Sequence, residues 1–190
     1  YEESPSYQYG RKQLKKAIDK TLYHYAVVSN ITDTKMVYVN GLYNIEFDLN
    51  LSYCDKITDV SMLGNVHTLD LSYCDKITDV SMLGNVHTLN LGYTDIKDVS
   101  MLGDVHTLNL YSCKNITDVS MLGNVHTLDL GWCYKIKDVS MLGNVHTLDL
   151  RDSNNITDIS MLGNVHTLYI YKDKYDLTGL ENVNIKYDDY

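Results

Sequence analysis

The sequence predicts an α/β solenoid: a coil with one parallel β-sheet along one face, short 3₁₀ or loop returns on the other, and a helical cap at the N-terminus. Three observations predict it. First, a ten-residue string, Val-Ser-Met-Leu-Gly-Asn-Val-His-Thr-Leu, fills 60–69 and 80–89. It recurs at 99–108 with Asp104 for Asn, at 119–128, at 139–148, and at 159–168 with Ile159 in front. The Leu after His-Thr falls at 69, 89, 108, 128, 148 and 168, a period of 20 with one of 19, and Leu49 precedes the first by 20. Second, Leu69-Asp70-Leu71 alternates as a strand does. Third, Cys74, Ile77, Val80 and Leu83 recur every three residues, which suits tight turns or 3₁₀ segments. About twenty residues do not hold a strand, two turns and a full α-helix. One such coil cannot bury its own apolar stripe, whereas a stack of coils can.

The stretch Val66-His-Thr-Leu69-Asp-Leu71-Ser-Tyr-Cys74 resembles the leucine-rich-repeat consensus L-x-x-L-x-L-x-x-N/C, and Ile77-Thr-Asp-Val80-Ser-Met-Leu83 is similar to the short repeats of internalin-type proteins. Cys in the usual Asn place resembles the cysteine-containing repeats of F-box adaptors. The resemblance spans roughly 46–185. It implies a right-handed leucine-rich-repeat coil with its sheet on a concave face, and protein binding as the usual role. Two departures stand out. The unit is shorter than the family's usual length, so the convex side is expected to be thin, and no F-box-like segment is in front.

Taken in order, residues 1–44 read as an N-terminal cap. Leu14, Ile18, Leu22 and Tyr25 stand at helical spacing within 11–25, with Lys12, Lys15, Lys16 and Lys20 between them, and a short strand is expected about 36–39. Leucine-rich repeats occupy 45–175, with strands near Leu49, Leu69, Leu89, Leu108, Leu128, Leu148 and Leu168. Residues 176–190 read as a truncated capping repeat with a short strand near 183–185. There, Asp176-Leu-Thr-Gly-Leu180-Glu-Asn-Val183 echoes Asp158-Ile-Ser-Met-Leu162-Gly-Asn-Val165. Such caps shield the terminal apolar surface and strand edges.

Charge narrows the partners. With 16 Lys+Arg against 25 Asp+Glu, the net charge of -9 argues against nucleic acid and against an anionic membrane surface. No apolar run reaches the ~18 residues of a membrane span. The four cysteines include no CxxC pair, which argues against zinc and thioredoxin-type chemistry. Unpaired thiols favour an intracellular, reducing compartment. The first residue is Tyr1 rather than Met, so an export signal removed earlier stays compatible with the sequence.

Three columns recur through the coils. His67, His87, His106, His126, His146 and His166 form one. A straight row does not converge on a metal, but stacked imidazoles should resist joint protonation, so acid should destabilise the coil. Cys54, Cys74, Cys113 and Cys133 form the second, with Thr94 and Ser153 in the other coils, and read as buried groups hydrogen-bonded to the loop. Asp59, Asp79, Asp98, Asp118, Asp138 and Asp158 form the third and read as caps of the turns that end at Gly. Asn-x-Ser/Thr sequons begin at Asn30, Asn50, Asn115 and Asn155 and matter only in a secreted chain. No cofactor is implied, and no asymmetric nucleophile–base–orienter constellation points to an enzyme.

The coils differ mainly where the strands end. Between the paired Leu stand Asn50, Asp70, Asn90, Asn109, Asp129, Asp149 and Tyr169. After the second Leu come Ser52, Ser72, Gly92, Tyr111, Gly131, Arg151 and Tyr171, and then Tyr53, Tyr73, Tyr93, Ser112, Trp132, Asp152 and Lys172. These are expected to point out of the concave face. Tyr, Trp and Arg most often carry interface energy. The expected partner site is therefore Tyr111, Trp132, Arg151, Tyr169 and Tyr171 with Tyr73, Tyr93, Asp129 and Asp149. The expected partner is a protein or peptide of basic character, bound by a monomer. A structural spacer within a longer chain and an ice-templating surface built on the Thr column are the rival readings.

Overall fold

The computed structural model describes residues 27–28 and 48–188. Nine parallel strands form one sheet in chain order: β1 (Val27–Val28), β2 (Asp48–Asn50), β3 (Thr68–Asp70), β4 (Thr88–Asn90), β5 (Thr107–Asn109), β6 (Thr127–Asp129), β7 (Thr147–Asp149), β8 (Thr167–Tyr171) and β9 (Asn184–Asp188). From β2 to β8 the register repeats without slip: Leu49 pairs Leu69, which pairs Leu89, Leu108, Leu128, Leu148 and Leu168 in turn. The coil that is one residue short keeps that register, because its missing residue falls in the loop between Thr94 and Ile96.

The triplet spacing of the apolar residues has a direct cause. Most of these residues donate their N–H to the carbonyl of the one three positions earlier. Cys74 donates to Leu71, Ile77 to Cys74, Leu83 to Val80 and Val86 to Leu83, at 3.0–3.2 Å. A chain turning this way points every third side chain inward. Leu69, Leu71, Cys74, Ile77, Val80, Leu83 and Val86 are all buried, and the pattern repeats through the stack. Between coils the strand ladder continues into the exit turn: Leu71 donates to Asn90 and Tyr73 to Gly92 at 2.8–2.9 Å. The long turn segments contain one 3₁₀ turn each, at Ser61–Leu63, Ser81–Leu83, Ser100–Leu102, Ser120–Leu122, Ser140–Leu142 and Ser160–Leu162.

Two of the repeated columns serve this scaffold. The Sγ of Cys74, Cys113 and Cys133 donates to the carbonyls of Leu51, Leu91 and Leu110 at 3.1–3.2 Å. Ser153 Oγ donates in the same way to Leu130 of the preceding coil, whereas Thr94 Oγ1 donates to Leu91 of its own coil, both at 2.6 Å. All four cysteines are buried thiols. Burial raises all four above the usual thiol range, Cys74 to about 11, so they are poor nucleophiles at neutral pH. Each Asp of the third column accepts the N–H of the Ser two residues on, at 2.9 Å, from Asp59–Ser61 to Asp158–Ser160. Asp176 continues the column by taking the N–H and hydroxyl of Thr178.

The glycine that ends each turn answers to a close approach between coils. Gly103, Gly123 and Gly143 lie in right-handed helical conformation, with φ between -59 and -63°. Their requirement is space: a Cβ there would stand 2.5–2.6 Å from the carbonyl oxygen of Met121, Met141 or Met161 in the next coil.

At the ends, the expected helix over 11–25 and strand about 36–39 lie outside the described residues, and the strand beside β2 is Val27–Val28. The final strand is longer than expected: β9 runs five residues and pairs with all of β8.

Candidate functional site

Along β2 to β7 only the central Leu enters the core, so the residues before and after it face out of the sheet. The position after it is already engaged. Asp70 Oδ1 accepts the N–H and hydroxyl of Ser72 at 2.9 and 2.7 Å. Asn90 holds Gly92, Asn109 holds Tyr111, Asp129 holds Gly131 and Asp149 holds Arg151, at 2.8–3.0 Å. These side chains fold back on the turn and stay half-buried.

That turn holds the positive-φ residues other than glycine among the described residues. Tyr53, Tyr73, Tyr93, Ser112, Trp132, Asp152 and Asp173 hold φ near +60°. Asp tolerates this conformation; a bulky L-residue pays about 1–2 kcal/mol for it. Tyr73, Tyr93 and Trp132 therefore stand on the rim where the chain leaves the sheet. In the last full coil the position belongs to Asp173, not Lys172, because β8 is extended to Tyr171.

The rim aromatics stack. Tyr53 and Tyr73 lie 4.3 Å apart at 8°, Tyr73 and Tyr93 4.2 Å at 11°, and Tyr93 meets Tyr111 tilted at 5.4 Å. Aromatic pairs contribute about 0.5–1.5 kcal/mol each, which roughly offsets the strain. Burial between neighbours pushes the Tyr73 hydroxyl up to about 12.

Towards the C-terminal end the repeat breaks down into individual contacts. The Tyr111 ring covers Gly131, where a Cβ would stand 2.9 Å from Cδ2. Trp132 is exposed and packs at 5.8 Å against Tyr134. Arg151 forks onto Asp149, with Nη2 to Oδ2 at 2.6 Å and Nε at 3.0 Å from both oxygens. Its guanidinium also lies 5.3 Å from the Tyr169 ring centre. Tyr171 donates its hydroxyl to Asp152 at 2.7 Å. Arg151 thus already has a carboxylate and an aromatic face from its own chain. Asp129, held in the half-buried row next to Asp149, is pushed up to about 6, chiefly by burial.

The six histidines form a continuous stack at the strand entrance, with ring centres 4.4–4.7 Å apart and planes within 11°. Each Nδ1 lies 3.0–3.3 Å from the hydroxyl of the following Thr. His146 is held below the usual histidine range by desolvation, then by its two neighbours. Among the described residues no cluster of three His, Cys, Asp or Glu converges to hold a metal ion. No described helix is long and apolar enough to cross a membrane.

Sequence reasoning missed the left-handed turn, the Asp149–Arg151 fork and the exposed methionines. The turn had a signal, since Asp152 stands in a column otherwise filled by Tyr, Ser and Trp.

Register, turn pattern and core together make the chain a leucine-rich-repeat solenoid with cysteine-containing repeats. A family model described as Leucine Rich repeat matches residues 65–83. Two solved internalins from Listeria monocytogenes share the fold. Internalin C2 superposes with a TM-score of 0.65 at 22% identity over 97% of this chain and 93% of its own. A second internalin superposes with a TM-score of 0.59 at 21% identity over 95% of this chain and 70% of its own. At these identities the likeness is one of fold. A search of curated proteins found no match.

Proposed function

We propose that the chain is a non-enzymatic binding module that takes a protein or peptide, as a monomer, on the sheet face and its rim in the C-terminal coils. One observation carries the reading. Tyr111, Trp132, Arg151, Tyr169 and Tyr171 break the repeat within four successive coils, while the turns on the far side of the same coils keep theirs. Leucine-rich-repeat folds are in general protein-interaction scaffolds, which supports it. Tyr111 and Trp132 act as apolar anchors, and Trp132 has only one tilted ring to offset its strained backbone. Arg151, fixed by Asp149 and Tyr169, offers a rigid planar surface. Tyr73 and Tyr93 extend the aromatic rim. Asp129 is the acidic group that a basic partner would meet; such a partner lowers its pKa, so binding tightens as pH rises through about 6. Four buried thiols suit a reducing compartment. The test is capture of a partner from cell extract by the chain and by a Tyr111→Ala, Trp132→Ala variant of equal unfolding midpoint. A protein held by the first and lost by the second supports the site; equal retention refutes it.

A further inference from the structure

The face opposite the sheet carries a feature that sheet-face binding does not use. Met62, Met82, Met101, Met121, Met141 and Met161 occupy the middle of the six 3₁₀ turns and are all exposed, between 42 and 63%. The core does not need them, since the Leu beside each Met fills it. Successive turns pack together, so the six methionines form one exposed row along the stack of an acidic molecule. Continuous exposed apolar surface of this kind marks contact sites, and flexible, polarisable Met is the side chain such sites use.

An acidic row runs alongside. Asp79 and Asp98 line one cleft between coils with Met101; Asp118 and Asp138 line another with Met141. The Ser N–H that each carboxylate accepts holds Asp79, Asp118 and Asp138 below the usual range, so they stay ionised well into acid. An apolar stripe beside fixed negative charge calls for an apolar stripe beside positive charge.

The spacing selects the partner's conformation. Coils repeat every ~4.8 Å, so six methionines span ~24 Å, the length of about 16 helical residues. A helix presents one apolar face every ~5.4 Å and drifts from the coils by only ~0.6 Å per step. An extended strand repeats every ~6.7 Å, drifts by ~2 Å per step and is out of register by the third coil. From these observations we propose that the turn face is a second docking surface, and that its occupant is a basic amphipathic helix of a partner protein, laid along the methionine row.

The probe is a labelled 18-residue peptide of Leu and Lys at helical spacing. Its control has the same composition in strict Leu-Lys alternation, and both are titrated with the full chain and read by fluorescence anisotropy. The helical peptide should bind at least tenfold tighter than the control. Met101→Ser, Met121→Ser, Met141→Ser should weaken it at least tenfold, while Met→Leu at the same positions retains it. Asp98→Asn, Asp118→Asn, Asp138→Asn, which keeps the turn acceptors, should weaken it several-fold and flatten its salt dependence. Tyr111→Ala, Trp132→Ala should leave it unchanged, which separates this surface from the sheet face. Equal binding of the two peptides, no binding, or an unaltered affinity in both the Met→Ser and Asp→Asn variants overturns the proposal.

Discussion

Replacing Asp129 by Asn should stabilise the protein, and the molecule carries its own control. Asn90 and Asp129 occupy the same column, and each accepts the N–H of a glycine two residues on, at 3.0 and 2.8 Å. The hydrogen bond does not require the charge. The charge itself is costly: it raises Asp129 from 3.8 to about 6, through burial first and Asp149 next, against the pull of Gly131 and Arg151. At about 1.4 kcal/mol per pKa unit, the native state is disfavoured by up to about 3 kcal/mol once both states are ionised. The sign follows from the raised pKa. Below about 4 Asp129 is protonated folded or unfolded, and the cost is absent. As pH rises through 6 the folded state must give up its proton, and the full cost appears. Asn does not titrate, so the variant should gain about 1–3 kcal/mol at pH 8, a Tm rise of about 2–4 °C per kcal/mol for a chain of this size. The gain should shrink steadily between pH 6 and 4. Urea unfolding of both proteins across pH 4–8 reads it directly. A variant no more stable at pH 8, or a gain that is the same at pH 4, would refute the reasoning.

Other outcomes follow from the same geometry. Leu128→Ala, at a fully buried ladder position, should cost about 2–5 kcal/mol in denaturant unfolding. Gly123→Ala puts a Cβ 2.5 Å from Met141 O and should cost about 1–3 kcal/mol despite an ordinary φ; an unchanged midpoint would show that the coils part freely. Cys133→Ser should cost under about 1 kcal/mol, because Ser153 already fills the equivalent place by donating to Leu130 O and accepting Cys133 N–H. His146 is held low, so its unfolded form takes up protons first and stability falls as pH drops below about 6.5. His126→Asn, His146→Asn should flatten that fall, measured as Tm between pH 7 and 5.

Much of the scaffold was legible because its rules are local and repeated. At Cys74, Ile77 and Leu83 the triplet spacing maps onto hydrogen bonds three residues back, and the Leu-x-Leu alternation maps onto the strands. The Cys and Ser of one column donate alike to a Leu carbonyl of the preceding coil, and Thr94 turns instead to Leu91 of its own coil. The candidate site was less legible. Tyr73, Tyr93 and Trp132 were expected to point out of the concave face by strand alternation, but they follow the strands in a left-handed turn at the rim, where alternation does not apply. Asp149 lies two residues from Arg151 on the same strand side and takes its guanidinium. Such side-chain pairing depends on distances that a period of 20 does not encode. The glycines that end the turns are points of coil-to-coil contact, which only the stacked structure displays.

The central claim is that the irregular residues of the C-terminal coils bind a protein partner. The most direct measurement is the affinity of the captured partner for the chain and for Tyr111→Ala, Trp132→Ala, with unfolding midpoints matched. If Tyr111 and Trp132 are anchors, each truncation costs about 2 kcal/mol or more, so the double variant binds at least a hundredfold more weakly. An affinity within a factor of two of the unchanged chain would contradict the account.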